Sequence, residues 1–217
     1  ANLKSQLEEA FKRAASSARS GVNMSYTSSQ ITSNSLVFNA TFDTEHWSGD
    51  VVASTISNGQ TSSTARWNAA DSIASQTHTS RVIYTTSDER IARLFKAPVN
   101  LMQLDSGAAD GLTRSQIDAL LTDLPSSVVN AINASPENAD TIKLQYLQSL
   151  VNYLRGDRRN EKADTAESLL TSSLFRERKS PLGDIVHSTP VYGVSASDRR
   201  PFIIFGSNDG MVHVFDA

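Results

Sequence analysis

Phe202-Ile203-Ile204-Phe205, then Gly206-Ser207-Asn208-Asp209-Gly210, then Met211-Val212-His213-Val214-Phe215 is the stretch that decides the fold. Two short runs of Val, Ile and Phe, residues that suit a pleated surface, flank a loop that ends in glycine. Asn-Asp-Gly favours positive φ and closes a tight hairpin, so the segment reads as two antiparallel strands. His213 alternates within its strand, facing solvent or stacking in the sheet. Just upstream, Pro190-Val191-Tyr192-Gly193-Val194 reads as another short strand. The sequence ends at Asp216-Ala217 directly after a strand, and an unpaired edge is an aggregation hazard. The expectation is that the natural protein continues.

The same period of two appears far away in the chain. In Ser35-Leu36-Val37-Phe38-Asn39-Ala40-Thr41-Phe42, the residues Leu36, Phe38, Ala40 and Phe42 alternate with smaller or polar ones. After a break at Asp43 to His46, Trp47-Ser48-Gly49-Asp50-Val51-Val52-Ala53-Ser54 is a second strand, and the pair reads as a hairpin. Residues 57–64 are rich in Ser, Thr and Gly and read as a loop, and Arg81 to Thr86 as a strand.

Between and before these strands the period changes to that of a helix. Leu3, Leu7, Ala10, Phe11, Ala14 and Ala18 make one apolar stripe, predicting a helix over 3–18 with Gly21 as its stop. Residues 22–34 read as a polar linker. From about 90 to 156 the pattern is helical: Thr113 and Gln116 have capping-box spacing, and Ile117, Leu120, Leu121 and Leu124 follow. Pro125 interrupts, Ser135-Pro136 starts a new helix, and Ile142, Tyr146, Leu150 and Leu154 share a face. Gly156 ends that helix, and residues 157–173 read as a loop or weak helix.

Composition narrows the function. The chain has 217 residues, 39% hydrophobic, and a net charge of −3, which argues against a nucleic-acid binder. It has no cysteine, so a cysteine nucleophile is excluded. No stretch approaches the ~20 apolar residues that span a bilayer. Residues 1–20 lack the apolar core of a signal peptide, so an export signal is expected outside this sequence.

Four motifs resemble one known family. Phe175-Arg176-Glu177-Arg178-Lys179-Ser180-Pro181-Leu182-Gly183-Asp184-Ile185-Val186-His187-Ser188-Thr189-Pro190-Val191-Tyr192 is similar to the R-x-R-x-x-x-L-G-D-I-V-x-S-x-P-V-Y signature of the type IV pilus tip-associated adhesins, the PilC/PilY-type assembly factors. Gly206 to Ala217 resembles their G-A-N-D-G-M-L-H-A-F-D-A blade motif, with Ser207 and Val214 as departures, and Gly193 stands where Val is usual. Leu36 to Gly49, with its Phe-x-x-x-x-Trp-Ser-Gly, is similar to the family's first hairpin, and Tyr153-Leu154-Arg155-Gly156-Asp157 to a recurring Y-L-R-G-D helix end. The motifs run in the family's order.

The resemblance implies a mainly β chain, α+β over these residues, forming the opening blades of a modified β-propeller. On this reading residues 1–34 are an N-terminal helix and linker, and 35–217 begin the propeller, with a helical insertion at about 90–173. It implies a non-enzymatic pilus biogenesis and adhesion factor, exported to the surface, pilus tip or outer membrane of a Gram-negative cell. Its partners would be pilin-like subunits, the assembly machinery or a host receptor. Trp47, Gly49, Gly183, Asp184, Pro190, Asn208, Asp209 and Gly210 are carried over as structural signature residues. The family's calcium site is placed in a later part of the propeller and assigned to no residue here; no cofactor is expected in this segment. The blade motif also resembles quinoprotein dehydrogenase propellers, which leaves a dehydrogenase-like enzyme, or a non-adhesive secreted scaffold, as the alternatives.

Few residues invite chemistry. Arg155-Gly156-Asp157 is an integrin-type tripeptide if exposed, but Gly156 reads as the helix C-cap with Arg155 favourably placed in the last turn. Asp184 and His187 could share a metal, yet a structural aspartate in a turn leading into a blade is the simpler reading. His46, His78 and His213 show no metal-ligand spacing. Trp47, Trp67, Phe38, Phe42, Phe205 and Phe215 are expected in the core.

Overall fold

The computed structural model describes residues 23–26, 35–57, 60–87, 89–161 and 174–217. The helix expected over 3–18 and most of the linker lie outside them. The chain divides into two compact units, one built from residues on either side of the other, which runs from Gln76 to Glu177.

The first unit holds two antiparallel sheets. Strands β1 (Asn23–Tyr26), β2 (Leu36–Asp43), β3 (Ser48–Ser57) and β4 (Gln60–Asn68) lie in sequence order. β2 and β3 pair from Leu36↔Thr55 to Asp43↔Ser48, so Leu36, Phe38 and Ala40 share one face, as their alternation predicts. Residues 60–64, expected as loop, are the start of β4. That strand is exposed on most of its length, so Ser and Thr serve it as well as apolar residues would and leave no alternation to read. Helix α1 (Ala69–Ala74) follows at once; Asn68 caps it by accepting from Asp71 N at 2.7 Å, and the Asp50 carboxylate accepts from Ala70 N at 3.0 Å.

The second sheet comprises β7 (Val191–Val194), β8 (Pro201–Gly206) and β9 (Val212–Asp216). The two sheets share one core: Leu36, Phe38, Val51, Ile73, Leu182, Ile185, Ile203 and Phe205 are buried together. Aromatic rings tie it across the sheets, with Phe38 6.3 Å from Tyr192 and Trp67 5.9 Å from Phe215. Trp47 departs from expectation: it is 62% exposed, at a φ of 51° in the tight turn before β3. The turn reverses the chain at that residue and carries its ring away from the core.

The second unit is mainly helical. A hairpin of β5 (Tyr84–Thr86) and β6 (Ala92–Leu94) precedes α2 (Leu101–Ser106), α3 (Arg114–Leu121), α4 (Ser126–Ala134), a 3₁₀ turn (Pro136–Asn138) and α5 (Ala139–Leu154). The Thr113–Gln116 capping box forms in both directions. Ser135, expected as an N-cap, makes no side-chain cap bond, and α5 begins only after the 3₁₀ turn. α5 serves two apolar clusters, giving Leu147 and Val151 to one and Ile142 and Tyr146 to the other.

Candidate functional site

Five of the signature residues, Gly49, Gly183, Asp184, Asn208 and Asp209, meet at one junction in the first unit. Ser48 bridges Gly183, and Gly49 N donates to Leu182 O at 3.3 Å. A side chain at Gly49 would run into the Gly183 carbonyl oxygen and Ile185 Cγ1. Gly183 in turn lies against the β8–β9 loop, where an added Cβ would sit 2.5 Å from Asp209 N. Both glycines are thus required by close backbone approach.

The polar signature residues close this junction. Gly183 N donates to Asp209 Oδ2 at 3.0 Å. Asn208 donates twice to Asp184: from Nδ2 to the carboxylate at 2.7 Å and from its backbone N to the carbonyl at 2.9 Å. Asp184 is buried with its carboxylate held by Asn208, and His187 is exposed. Asp209 also accepts from Met211 N at 3.0 Å and lies 2.9 Å from His213 Nε2. Burial works to raise the Asp209 carboxyl, but the hydrogen bond to His213 and its charge outweigh that and hold it at about 2. His213 is buried and stacks on Phe205 at 5.6 Å. Of Asn208, Asp209 and Gly210, only Gly210 takes positive φ, 83°, so the loop is a turn closed by a left-handed glycine. Pro190 is buried at the start of β7. The arrangement joins three distant segments through backbone groups and the side chains of Asp184, Asn208 and Asp209.

A second cluster sits at the β2–β3 turn. Asp43 accepts from Glu45 N at 2.9 Å and His46 N at 3.3 Å, and its other oxygen lies 3.1 Å from His46 Nδ1 and 2.7 Å from Lys179 Nζ. The Lys179 ammonium, helped by the backbone donors, holds the Asp43 carboxyl well below the usual range. Asp43, Glu45 and His46 form the one tight acidic and histidine trio among the described residues. Calcium takes six to eight oxygen ligands, whereas this trio offers two carboxylates and an imidazole with an ammonium already on one oxygen, so it does not fit that ion.

The Arg155-Gly156-Asp157 tripeptide is structural. Gly156 N donates to Tyr153 O and Asp157 N to Asn152 O, with Gly156 at φ 106°, a Schellman end to α5. Arg155 is buried, and its guanidinium donates to the carbonyls of Phe95 at 3.0 Å and Arg81 at 2.6 Å, while Arg81 Nη1 donates back to Arg155 O at 2.7 Å. Asp157 is buried, bidentate with Arg159 at 3.1 and 2.6 Å, and 3.7 Å from His78 Nε2. An exposed loop tip, which integrin recognition needs, is not what these residues form.

Sequence reading missed the Asp209–His213 and Asp43–Lys179 pairs. The first has a local signal in its four-residue spacing across a turn; the second, 136 residues apart, has none.

With this geometry in view, the relatives become informative. The type IV pilus biogenesis factor PilY1 homologue of Xylella fastidiosa is 28% identical over 253 residues, covering 99% of this chain and 16% of its own length. The factor PilY1 of Pseudomonas aeruginosa PAO1 is 31% identical over 108 residues, 39% of this chain and 8% of its own, and that of strain PAK 30% over the same extent. The chain is similar to part of the PilY1-type factors. It spans only a small share of these PilY1-type relatives, and no family model or solved structure matches it. No helix among the described residues is long and apolar enough to cross a membrane.

Proposed function

We propose that this chain is a segment of a type IV pilus biogenesis factor acting at the pilus tip or cell surface of a Gram-negative bacterium. It works by protein–protein binding, supports pilus assembly, twitching and attachment, and carries out no catalysis of its own. Its two antiparallel sheets belong to the opening blades of a modified β-propeller, and the unit from Gln76 to Glu177 is an insertion between their strands. Pilin-like subunits or the assembly machinery are its partners, with a host receptor as a further one, and any calcium site lies elsewhere in the longer protein.

The observation that carries this reading is the match to the Xylella PilY1 homologue over 99% of the chain. The interlock of Gly49, Gly183 and Asp209 supports it by giving the matched motifs a physical purpose, since they hold three segments of a scaffold together. A strain lacking the parent gene tests it through twitching zones and surface attachment. Both fall sharply and return with the full-length protein if the reading holds; unchanged twitching and attachment reject it and favour a secreted scaffold.

A further inference from the structure

Exposed apolar side chains gather in one part of the second unit. Among the described residues, six of the twelve large apolar side chains left exposed, Val82, Tyr84, Ile91, Val99, Leu101 and Met102, fall within 82–102. The hairpin of β5 and β6 lies in this stretch, with Tyr84 opposite Leu94, Thr85 opposite Arg93 and Thr86 opposite Ala92. Side chains alternate along a strand, so Val82, Tyr84 and Thr86 share the outward face. Val82 is 70% exposed and Tyr84 67%. Backbone groups alternate in the same way. Phe95 N donates to Ile83 O at 2.8 Å across the hairpin, whereas Leu94 N turns away from β5 and donates to Asp110 O at 3.1 Å. Tyr84, opposite Leu94, and Val82, two residues before it, therefore turn their N–H and C=O groups to the outer edge of β5.

The two edges of the hairpin differ. That of β6 is closed, since Leu94 N bonds Asp110 O and Leu112 N donates to Lys96 O at 3.1 Å. That of β5 is closed at one end only, where Gln116 Nε2 donates to Thr86 O at 2.9 Å. Among the described residues, no hydrogen bond reaches the outward backbone groups of Val82 or Tyr84. An edge of unpaired donors and acceptors is a template for another strand, and proteins ordinarily blunt it with charge, proline or a bulge. The exposed strand β4 follows that rule: it is polar, and its register with β3 shifts twice. Val82-Ile83-Tyr84-Thr85-Thr86 has no charge and no proline, and β5 keeps an unbroken register with β6. The chemistry of the edge sets what can cover it. Outward N–H and C=O groups in line accept an extended main chain, and Val82 and Tyr84 take apolar or aromatic side chains beside them. A helix uses its own backbone groups internally and cannot answer these bonds. Protein–protein binding, the mode proposed above, needs an open surface, and this edge supplies one.

We infer that the outer edge of β5, at Val82 and Tyr84, binds an extended strand of a separate protein with apolar or aromatic side chains at alternate positions. This rests on the reading of the chain as a protein-binding pilus biogenesis factor, and it places one contact of that binding on the second unit. The test is photo-crosslinking in living cells that make the full-length parent with p-benzoylphenylalanine at position 82, at position 84 or, as an exposed control away from the edge, at Glu137. Positions 82 and 84 should join one partner protein, at sites about two residues apart in a single segment, as strand pairing requires. Val82→Pro, which removes an outward N–H, should lower the adduct at position 84 at least about tenfold, and Val82→Thr, which keeps the N–H, should leave it unchanged. An adduct at position 137 as abundant as at position 84, sites scattered over the partner, or an adduct indifferent to Val82→Pro would overturn the inference. So would a crosslink within the parent chain itself, which would assign the edge to another part of that chain. A paired, proline-sensitive adduct with a protein unrelated to pili would sink the pilus reading and keep this one.

Discussion

Replacing Gly183 with alanine tests whether the signature residues act as an interlock. The new methyl would lie 2.5 Å from Asp209 N and 3.0 Å from Asp209 Cβ, neither the far end of a flexible side chain. Overpacking of this kind costs about 1–3 kcal/mol. The shift also breaks the bond from Gly183 N to the Asp209 carboxylate, about 1.5–3 kcal/mol for a charged acceptor. Lower backbone entropy in the unfolded chain returns about 0.4–1 kcal/mol. The net loss is about 3 kcal/mol. Gly210→Ala is the control: nothing lies within 4 Å of its added Cβ, so only the positive φ of 83° is penalised, by about 1–2 kcal/mol. Both tryptophans, Trp47 and Trp67, belong to the first unit, so tryptophan fluorescence in urea reports that unit alone. At an m-value of about 2 kcal/mol/M, Gly183→Ala lowers the midpoint by about 1.5 M, and Gly210→Ala by about 0.5–1 M. A Gly183→Ala midpoint equal to or above that of Gly210→Ala would refute the interlock.

Three further outcomes follow from the same geometry. The Asp209 carboxyl is held at about 2, below its ordinary value near 4, so its stabilisation of about 2 kcal/mol is fully present above pH 4 and is lost as pH falls toward 2. Asp209→Asn should flatten that part of the acid-unfolding curve, and an unchanged acid limb would show that the carboxylate is not linked to folding. Arg155→Ala removes the guanidinium donors to the carbonyls of Phe95 and Arg81 and should cost about 3 kcal/mol, seen as faster proteolysis within 76–177; resistance equal to wild type would deny the guanidinium its structural role. Trp47→Gly relieves a left-handed aromatic residue that is 62% exposed, so stability of the isolated first-unit transition should rise by about 1 kcal/mol; a loss of more than that would mean the ring packs in a way its exposure does not show.

Much of this fold was legible in local pattern. The β8–β9 hairpin follows from apolar runs around Asn-Asp-Gly, and the start of α3 follows from Thr113 and Gln116. What was hidden depended on context. β4 was unreadable because an exposed strand has no buried face to mark with apolar residues. Trp47 was misplaced because composition favours burial, while a turn decides where the ring points. The Arg155 bonds reach carbonyls 60 and 74 residues away, and no local spacing encodes them. At the junction, the motif residues were recognisable from resemblance, but their contacts emerged only when β3, Leu182 to Asp184 and the β8–β9 loop were seen together.

The most direct test of the functional account is the amount of pilin sheared from the surface of cells lacking the parent gene. The account predicts a fall to background that the full-length protein restores. Wild-type amounts of sheared pilin in the deletion strain would contradict it.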